Sequence, residues 1–154
     1  PGLLAAREGA LLEAAIRALQ DDGVPLDVVL VDATGRDHPR RAGLAVHRGV
    51  VLQLPTVGVT HRPLLAEGHE PADEASAWTE LVLDGEVVGR WVRTRAGVRP
   101  VAVHSAWRTD PATAMEVVRR VTAAARTPEP LRLARMAARE ERSRRGGRWG
   151  KMNG

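Results

Sequence analysis

The chain has 154 residues, 44% hydrophobic and 27% charged, which is typical of one globular domain with a single core. It has no cysteine, which excludes disulfides and thiolate metal sites, and no apolar run long enough to cross a membrane. The net charge is +4, yet residues 135–154 carry seven Lys or Arg against two Glu, so residues 1–134 are close to neutral. We expect a cytoplasmic monomer with one domain over 1–134 and a flexible, disordered basic tail over 135–154.

Hydrophobic periodicity and turn residues predict alternating helices and strands. In chain order the pattern predicts a helix over 8–20, a buried strand over 27–32, a helix over 42–52, a strand over 56–60, a loop over 62–77, a hairpin around Asp84-Gly85, a strand over 100–104, a helix from Asp110 to about Arg126, and an Arg-rich helix after 127–130. This order indicates an α/β fold, in which helices flank a mixed sheet. The glycine motifs of nucleotide-binding loops are missing, which argues against nucleotide-cofactor chemistry.

Two carboxylates stand where a site would be built. Asp32 ends the first predicted strand, and ligands of α/β sheets collect at the carboxyl ends of parallel strands. Glu8 opens the first helix, and the two carboxylates together would suit Mg²⁺ or Mn²⁺. The alternative is purely structural, because Asp is a common turn residue and a carboxylate at a helix start is favoured by the dipole. The turn at 38–41, with sequence HPRR, would neutralise a polyanionic substrate or simply face solvent.

Basic residues follow two further strands. His61 and Arg62 come directly after the strand over 56–60, which we expect to run parallel to the strand before Asp32. His104 and Arg108 end the next predicted strand in the same way. If all these residues converge at one edge of the sheet, the pattern indicates phosphodiester chemistry.

Five segments, which follow one another in order across residues 1–134, carry a family resemblance: PGLLAARE, VDATGRDHPRRAGLAVHRGVVLQLPTVGVT, GRWVRTRAGVRPVAV, WRTDPATA and RTPEPLRLA. With these segments the chain resembles the endonuclease V family, which acts on deoxyinosine. The resemblance implies a ribonuclease H-like fold and an Mg²⁺-dependent endodeoxyribonuclease of DNA repair. Such an enzyme nicks DNA at the second phosphodiester bond 3′ to deoxyinosine, and some members act on inosine in RNA.

The resemblance also implies roles for individual residues. Glu8 and Asp32 match metal-binding carboxylates of the family, and His61 and Arg62 would contact the phosphate. The residues that match a pocket for the flipped base, or that lie near the scissile strand, are Gly2, Leu4, Ala33, Gly35 and His38.

The chain departs from the family pattern at four points. The family's first catalytic Asp would lie upstream of Pro1, and the Tyr of its wedge motif would precede Pro1-Gly2. His61 stands where the family usually has Lys, and Trp107 where we expect a metal-site His. The departures leave two alternatives to a nuclease: a homologue that binds inosine or nucleic acid without cutting it, and an α/β domain whose partner is a protein.

Overall fold

The structure is a computed structural model that describes the backbone of residues 3–123 and 125–150, and the side chains of residues 9–123 and 125–144. Its helices and strands are, in chain order, α1 (Leu3–Asp21), β1 (Val29–Val31), α2 (Leu44–Leu52), β2 (Thr56–Thr60), β3 (Trp78–Leu83), β4 (Glu86–Val92), β5 (Val101–Ser105), α3 (Pro111–Arg120) and α4 (Glu129–Gly150). Within these ranges no helix is both long and apolar enough to cross a membrane.

The described strands form one five-stranded sheet in the order β1-β2-β5-β4-β3. β1 and β2 are parallel and are joined through α2, as the β-branched runs predicted. The other three pairings, β2 with β5, β5 with β4 and β4 with β3, are antiparallel. The predicted mixed sheet flanked by helices is therefore confirmed.

The hairpin between β3 and β4 turns where its sequence predicted. Asp84 and Gly85 both have positive φ, at 51° and 78°. This backbone belongs to the tight turns whose twist matches that of the flanking strands, and Asp followed by Gly favours it. The hairpin pairs β3 with β4, and β4 in turn pairs with β5, so these three strands form the antiparallel part of the sheet.

Helix α3 begins as predicted but is shorter than predicted. Asp110 accepts hydrogen bonds from the backbone N–H groups of Ala112 and Thr113, which caps the helix. The helix ends at Arg120 and not near Arg126. Beyond the helix, Arg126 is held next to the ends of β4 and β5: its Nη2 donates to the carbonyl of Pro100 at 2.7 Å, and its own carbonyl accepts from the hydroxyl of Thr94.

Helix α4 continues through residue 150, where composition predicted a disordered tail from residue 135. That prediction of irregular structure is wrong for residues 135–150. The helix starts on the core through Leu131, which is buried. Because the first turns of α4 pack on the core, they fix the direction in which the Arg-rich turns continue. The flexibility of residues 135–154 stays a prediction.

The main core lies between α3, the start of α4 and one face of the sheet. It is built from small and branched residues, namely Val57, Val59, Val92, Val101, Val103, Ala114, Met115, Val118 and Leu131. A smaller cluster, with Val31, Ala33, Leu44, Ala45 and Ala106, packs α2 against β1. These clusters fix the carboxyl ends of β1 and β2 relative to α4.

Candidate functional site

Asp32 and Arg135 form the centre of the candidate site. Asp32 follows β1 directly, and Arg135 lies on α4, whose first half contacts β1. Arg135 donates from Nη2 at 2.6 Å and from Nε at 3.1 Å, both to Oδ2 of Asp32. The side chain of Arg135 is 37% exposed and that of Asp32 is 51% exposed, so a ligand in solution has access to both.

His61 belongs to the same group of charges. It follows β2, the parallel neighbour of β1, and its side chain is exposed. Its pKa is lowered from 6.5, first by partial burial and then by the positive charges of Arg126 and Arg135, while Asp32 raises it. The parallel strand pair thus brings His61 and Asp32 to one end of the sheet, and His61 is neutral at pH 7.

A basic cavity lies against the outer side of this group. Its volume is about 230 Å³, and its lining contains Arg126, Arg132, Arg135 and Arg139 but no carboxylate. Arg132 is paired with Glu129 on its own helix. The pKa of Arg126 is lowered first by burial and then by the like charge of Arg99, while Glu70 raises it. Such a surface favours an anion.

His104 does not join this site. It is fully buried in β5, its Nε2 lies 2.8 Å from the hydroxyl oxygen of Thr60, and its Nδ1 lies 3.7 Å from Oδ2 of Asp37. Burial lowers its pKa to about 4, against the opposing effect of Asp37. Asp37 in turn accepts hydrogen bonds from the backbone N–H groups that follow β2, those of Leu64, Leu65 and Ala66. His104 and Asp37 therefore hold the loop after His61 in place.

Arg108 and Trp107 lie at the opposite end of the sheet. β5 is antiparallel to β2, so the residues after β5 reach the amino end of β2. Arg108 donates to Gln53, just before that strand, at 3.1 and 3.0 Å. The carbonyl of Trp107 accepts from the backbone N–H of Thr56, and the backbone N–H of Trp107 donates to the hydroxyl of Thr56. The predicted convergence of His104 and Arg108 with Asp32 is therefore wrong, and Trp107 does not occupy a position beside Asp32.

The turn at 38–41 faces the hairpin. Arg41 donates to the carbonyl of Leu83 at 2.8 Å and to Asp84 at 3.2 Å. Nδ1 of His38 accepts from the backbone N–H of Arg40, and His38 lines a separate cavity of about 530 Å³ beside the same hairpin. The structure therefore brings His38 to β3 and β4, and its contact with a substrate strand stays a prediction.

The small residues after Asp32 have structural roles of their own. The side chain of Ala33 is buried in the cluster under α2. A Cβ on Gly35 would lie 2.1 Å from the carbonyl oxygen of Ser105, so glycine is required there by the close approach of two backbones. Substrate contacts of Ala33 and Gly35 stay predictions, as does that of Arg62, which is exposed beyond β2.

The amino-terminal candidates are described only in part. Gly2 and the side chains of Leu4 and Glu8 lie outside the described residues. The backbone beside Glu8 is fixed, however, because Arg48 of α2 donates from Nη1 to the carbonyl of Gly9 at 2.7 Å. A Cβ on Gly9 would lie 2.7 Å from this guanidinium. Arg48 thus sets where α1 lies against α2.

The described side chains do not form a metal site. Among them no group of three or more His, Asp or Glu residues lies close enough together to hold an ion. Asp32 is the carboxylate that we expected to bind a metal, and its Oδ2 already accepts two hydrogen bonds from Arg135. A guanidinium is a cation and donates only, so it cannot be a metal ligand.

Sequence reasoning missed Arg135 and Asp37. The spacing of Arg132, Arg135 and Arg139 places them on one face of a helix, and this signal was present in the sequence. No local pattern indicated that this face would meet Asp32. Asp37 resembles any turn carboxylate in sequence, and only the fold shows that it is buried.

Comparisons with known proteins agree on one family. The model of the family described as Endonuclease V matches residues 1–136. The chain belongs to the endonuclease V family. It is 44% identical over 144 residues to endonuclease V of Methanopyrus kandleri, which covers 94% of this chain and 61% of the relative. It is 40% identical over 134 residues to endonuclease V of Trichormus variabilis, covering 87% and 59%. The chain thus spans about three-fifths of the length of these curated relatives.

Solved structures of endonuclease V share the fold. The Bacillus subtilis protein matches with a TM-score of 0.87 at 30% identity, covering 96% of this chain and 62% of that one. The catalytic domain of human endonuclease V matches with a TM-score of 0.85 at 29% identity, covering 95% and 65%. The predicted ribonuclease H-like architecture is confirmed by these matches.

Proposed function

We propose that this chain acts on nucleic acid that contains deoxyinosine, through the site at Asp32. The observation that carries the proposal is the arginine-lined cavity beside a carboxylate at the carboxyl ends of parallel strands. A phosphodiester backbone is the polyanion that such a surface fits. Family membership supports the substrate, and endonuclease V of Ciona intestinalis has been crystallised with a 24mer DNA containing an inosine.

In its full form the proposal is an endonuclease of DNA repair. It would nick DNA at the second phosphodiester bond 3′ to deoxyinosine, and act on inosine in RNA as well. On this proposal Glu8 and Asp32 are the carboxylates for Mg²⁺ or Mn²⁺, and His61 stands beside the phosphate. Because its pKa is lowered, His61 would serve at neutral pH as a hydrogen-bonding group, and the positive charge at the phosphate would come from arginines. A cytoplasmic location and a monomeric state stay predictions.

The direct test is cleavage of a deoxyinosine-containing oligonucleotide in the presence of Mg²⁺. The full protein is compared with Asp32→Asn and with the control Asp84→Asn, which removes an exposed carboxylate at the hairpin. The nuclease form predicts cleavage by the wild type and by the control, and none by Asp32→Asn. Equal cleavage by all three, or by none, would refute the role of Asp32 in a nuclease.

A second candidate is a homologue that binds nucleic acid without cutting it. The observation that favours it is the ion pair between Arg135 and Asp32, which engages the expected metal ligand with a cation of the protein itself. This candidate predicts tight binding of the oligonucleotide in EDTA and no turnover in Mn²⁺. The two candidates share a substrate and differ in chemistry.

A further inference from the structure

Arg135 is held at Asp32 by the fold. Helix α4 is anchored through Leu131, which packs in the main core, and through its contacts with β1. One helical turn after Leu131, the guanidinium of Arg135 reaches the carboxylate with two N–H donors. A charge-assisted contact of this kind is among the stronger hydrogen bonds of proteins. Both groups retain access to solvent, so the pair forms although water could hydrate each of them.

The charges around the pair also disfavour a divalent ion. A metal bound to a carboxylate oxygen lies about 2.0–2.6 Å from it, so an ion on Oδ2 would stand next to the guanidinium. Arg126 adds positive charge nearby, since it lines the same cavity as Arg135 and lowers the pKa of His61 as Arg135 does. No second carboxylate of the described side chains completes a metal-binding group with Asp32.

We infer that the guanidinium of Arg135 takes the place of a divalent metal ion as the counter-charge of Asp32, so that this site binds nucleic acid without a metal. The inference rests on the proposed function for the identity of the ligand. Of the two candidate functions, it favours the homologue that binds nucleic acid without cutting it. The arginines beside the carboxylate supply the positive charge that a phosphate needs, and guanidinium groups keep that charge at every physiological pH.

The metal part is tested by Mn²⁺ binding to the full protein, measured by calorimetry and by the loss of the free-ion electron paramagnetic resonance signal. The variants are Arg135→Gln, which removes the cation, Arg135→Lys, which retains it, and Arg142→Gln as the control two turns further along α4, outside the cavity. We expect Arg135→Gln to bind Mn²⁺ at least tenfold more tightly than the wild type. Arg142→Gln and Arg135→Lys should remain within about threefold of the wild type.

The gain must depend on Asp32. In the double variant with Asp32→Asn and Arg135→Gln, the tighter Mn²⁺ binding should disappear. Wild-type protein that binds Mn²⁺ as tightly as Arg135→Gln, or a gain that survives Asp32→Asn, would overturn the inference. Circular dichroism and the midpoint of thermal unfolding identify a variant that fails to fold. If Arg135→Gln fails to fold, Arg135→Lys is compared with Arg142→Gln, and Mn²⁺ binding tightened only in Arg135→Lys would also overturn the inference.

The nucleic-acid part is tested by the affinity for a deoxyinosine-containing oligonucleotide in EDTA and in Mg²⁺. We expect the wild-type affinities to agree within about twofold, and Arg135→Gln to lose at least fivefold in EDTA. An affinity that needs Mg²⁺ would overturn the inference. Wild-type protein that binds no nucleic acid under either condition would instead refute the proposed function, and the Mn²⁺ result would stand separately.

Discussion

Acid should destabilise this fold through His104. The imidazole is fully buried beside the hydroxyl of Thr60, and burial lowers its pKa from 6.5 to about 4. In the unfolded chain the same imidazole takes up a proton below about pH 6.5. Between these two values the unfolded state binds more protons than the folded state, so the free energy of unfolding falls as the pH falls.

The magnitude follows from the width of this window. Each pH unit between the two pKa values costs about 1.4 kcal/mol, and the window from 6.5 to about 4 therefore gives a loss of roughly 3 kcal/mol. For a fold of ordinary stability this is a large fraction of the total. The loss is complete only below the folded pKa and is absent above pH 6.5.

The assay is urea unfolding of the wild type and of His104→Gln, followed by circular dichroism from pH 7.5 to pH 4.5. The glutamine amide retains a donor for Thr60 and does not titrate, so the variant lacks this proton uptake. His61 also has a lowered pKa and acts in the same direction, but it is present in both proteins and cancels in the difference.

The stability advantage of the wild type over His104→Gln should shrink by roughly 2–3 kcal/mol between pH 7.5 and pH 4.5. A difference that stays constant across this range would show that His104 titrates alike in both states. A difference that grows toward acid would show that Asp37 stabilises a protonated imidazole more than burial disfavours it. Either result would refute the reasoning.

Three further changes test the loop, the packing and the basic surface. Asp37→Ala should lower the free energy of unfolding by about 3 kcal/mol or more in urea unfolding, because three backbone N–H groups lose a buried charged acceptor. Gly49→Ala should lower it by about 1–3 kcal/mol, since the added Cβ would lie 2.2 Å from Cβ of Trp107. Arg139→Gln should reduce the slope of log affinity for DNA against log salt by roughly 0.7–0.9, whereas Arg142→Gln, outside the cavity, should leave it unchanged.

Each of these has an outcome that contradicts it. Full stability of Asp37→Ala would mean that water satisfies the loop N–H groups. A neutral Gly49→Ala would mean that α2 shifts away from Trp107 without cost. Equal salt slopes for Arg139→Gln and Arg142→Gln would place the phosphate contacts away from the α4 cavity.

Local sequence patterns predicted the elements and one half of the sheet. β1 and β2 are apolar and β-branched runs with a helix between them, and such a unit is almost always parallel. That is why the neighbourhood of Asp32 and His61 followed from sequence. The hairpin followed from Asp84 and Gly85, because few dipeptides favour positive φ at both positions.

The direction of β5 was not predictable in the same way. Its sequence is that of any buried strand, and residue type does not tell whether a strand runs with or against its neighbour. The assumption that His104 and Arg108 emerge beside Asp32 treated β5 as parallel to β2, whereas β5 is antiparallel to both of its neighbours, β2 and β4. Because β5 runs in the opposite direction, His104 and Arg108 do not lie beside Asp32 and His61.

The contact of Arg135 with Asp32 could not be predicted, because Arg135 lies in a segment with many arginines. A run rich in arginine normally reads as a solvated surface, and its charges are repetitive enough that no single one is distinguished. Arg135 lies one helical turn after the buried Leu131. Because Leu131 anchors α4 in the core, its position determines which arginine of the helix meets the carboxylate of Asp32. This contact joins residues 103 positions apart, and only the packing of α4 on β1 specifies it.

The feature of the described side chains that bears most directly on metal chemistry lies on α4. Trp107 packs at the amino end of β2 and leaves the surroundings of Asp32 unchanged. Arg135 instead places a permanent positive charge on the carboxylate itself. Since a neutral His61 adds little charge at neutral pH, the electrostatics of the described side chains around Asp32 are set by arginines. A surface of this kind is suited to holding a phosphate, and the Mn²⁺ titration of Arg135→Gln tests whether Arg135 keeps a divalent ion away from Asp32.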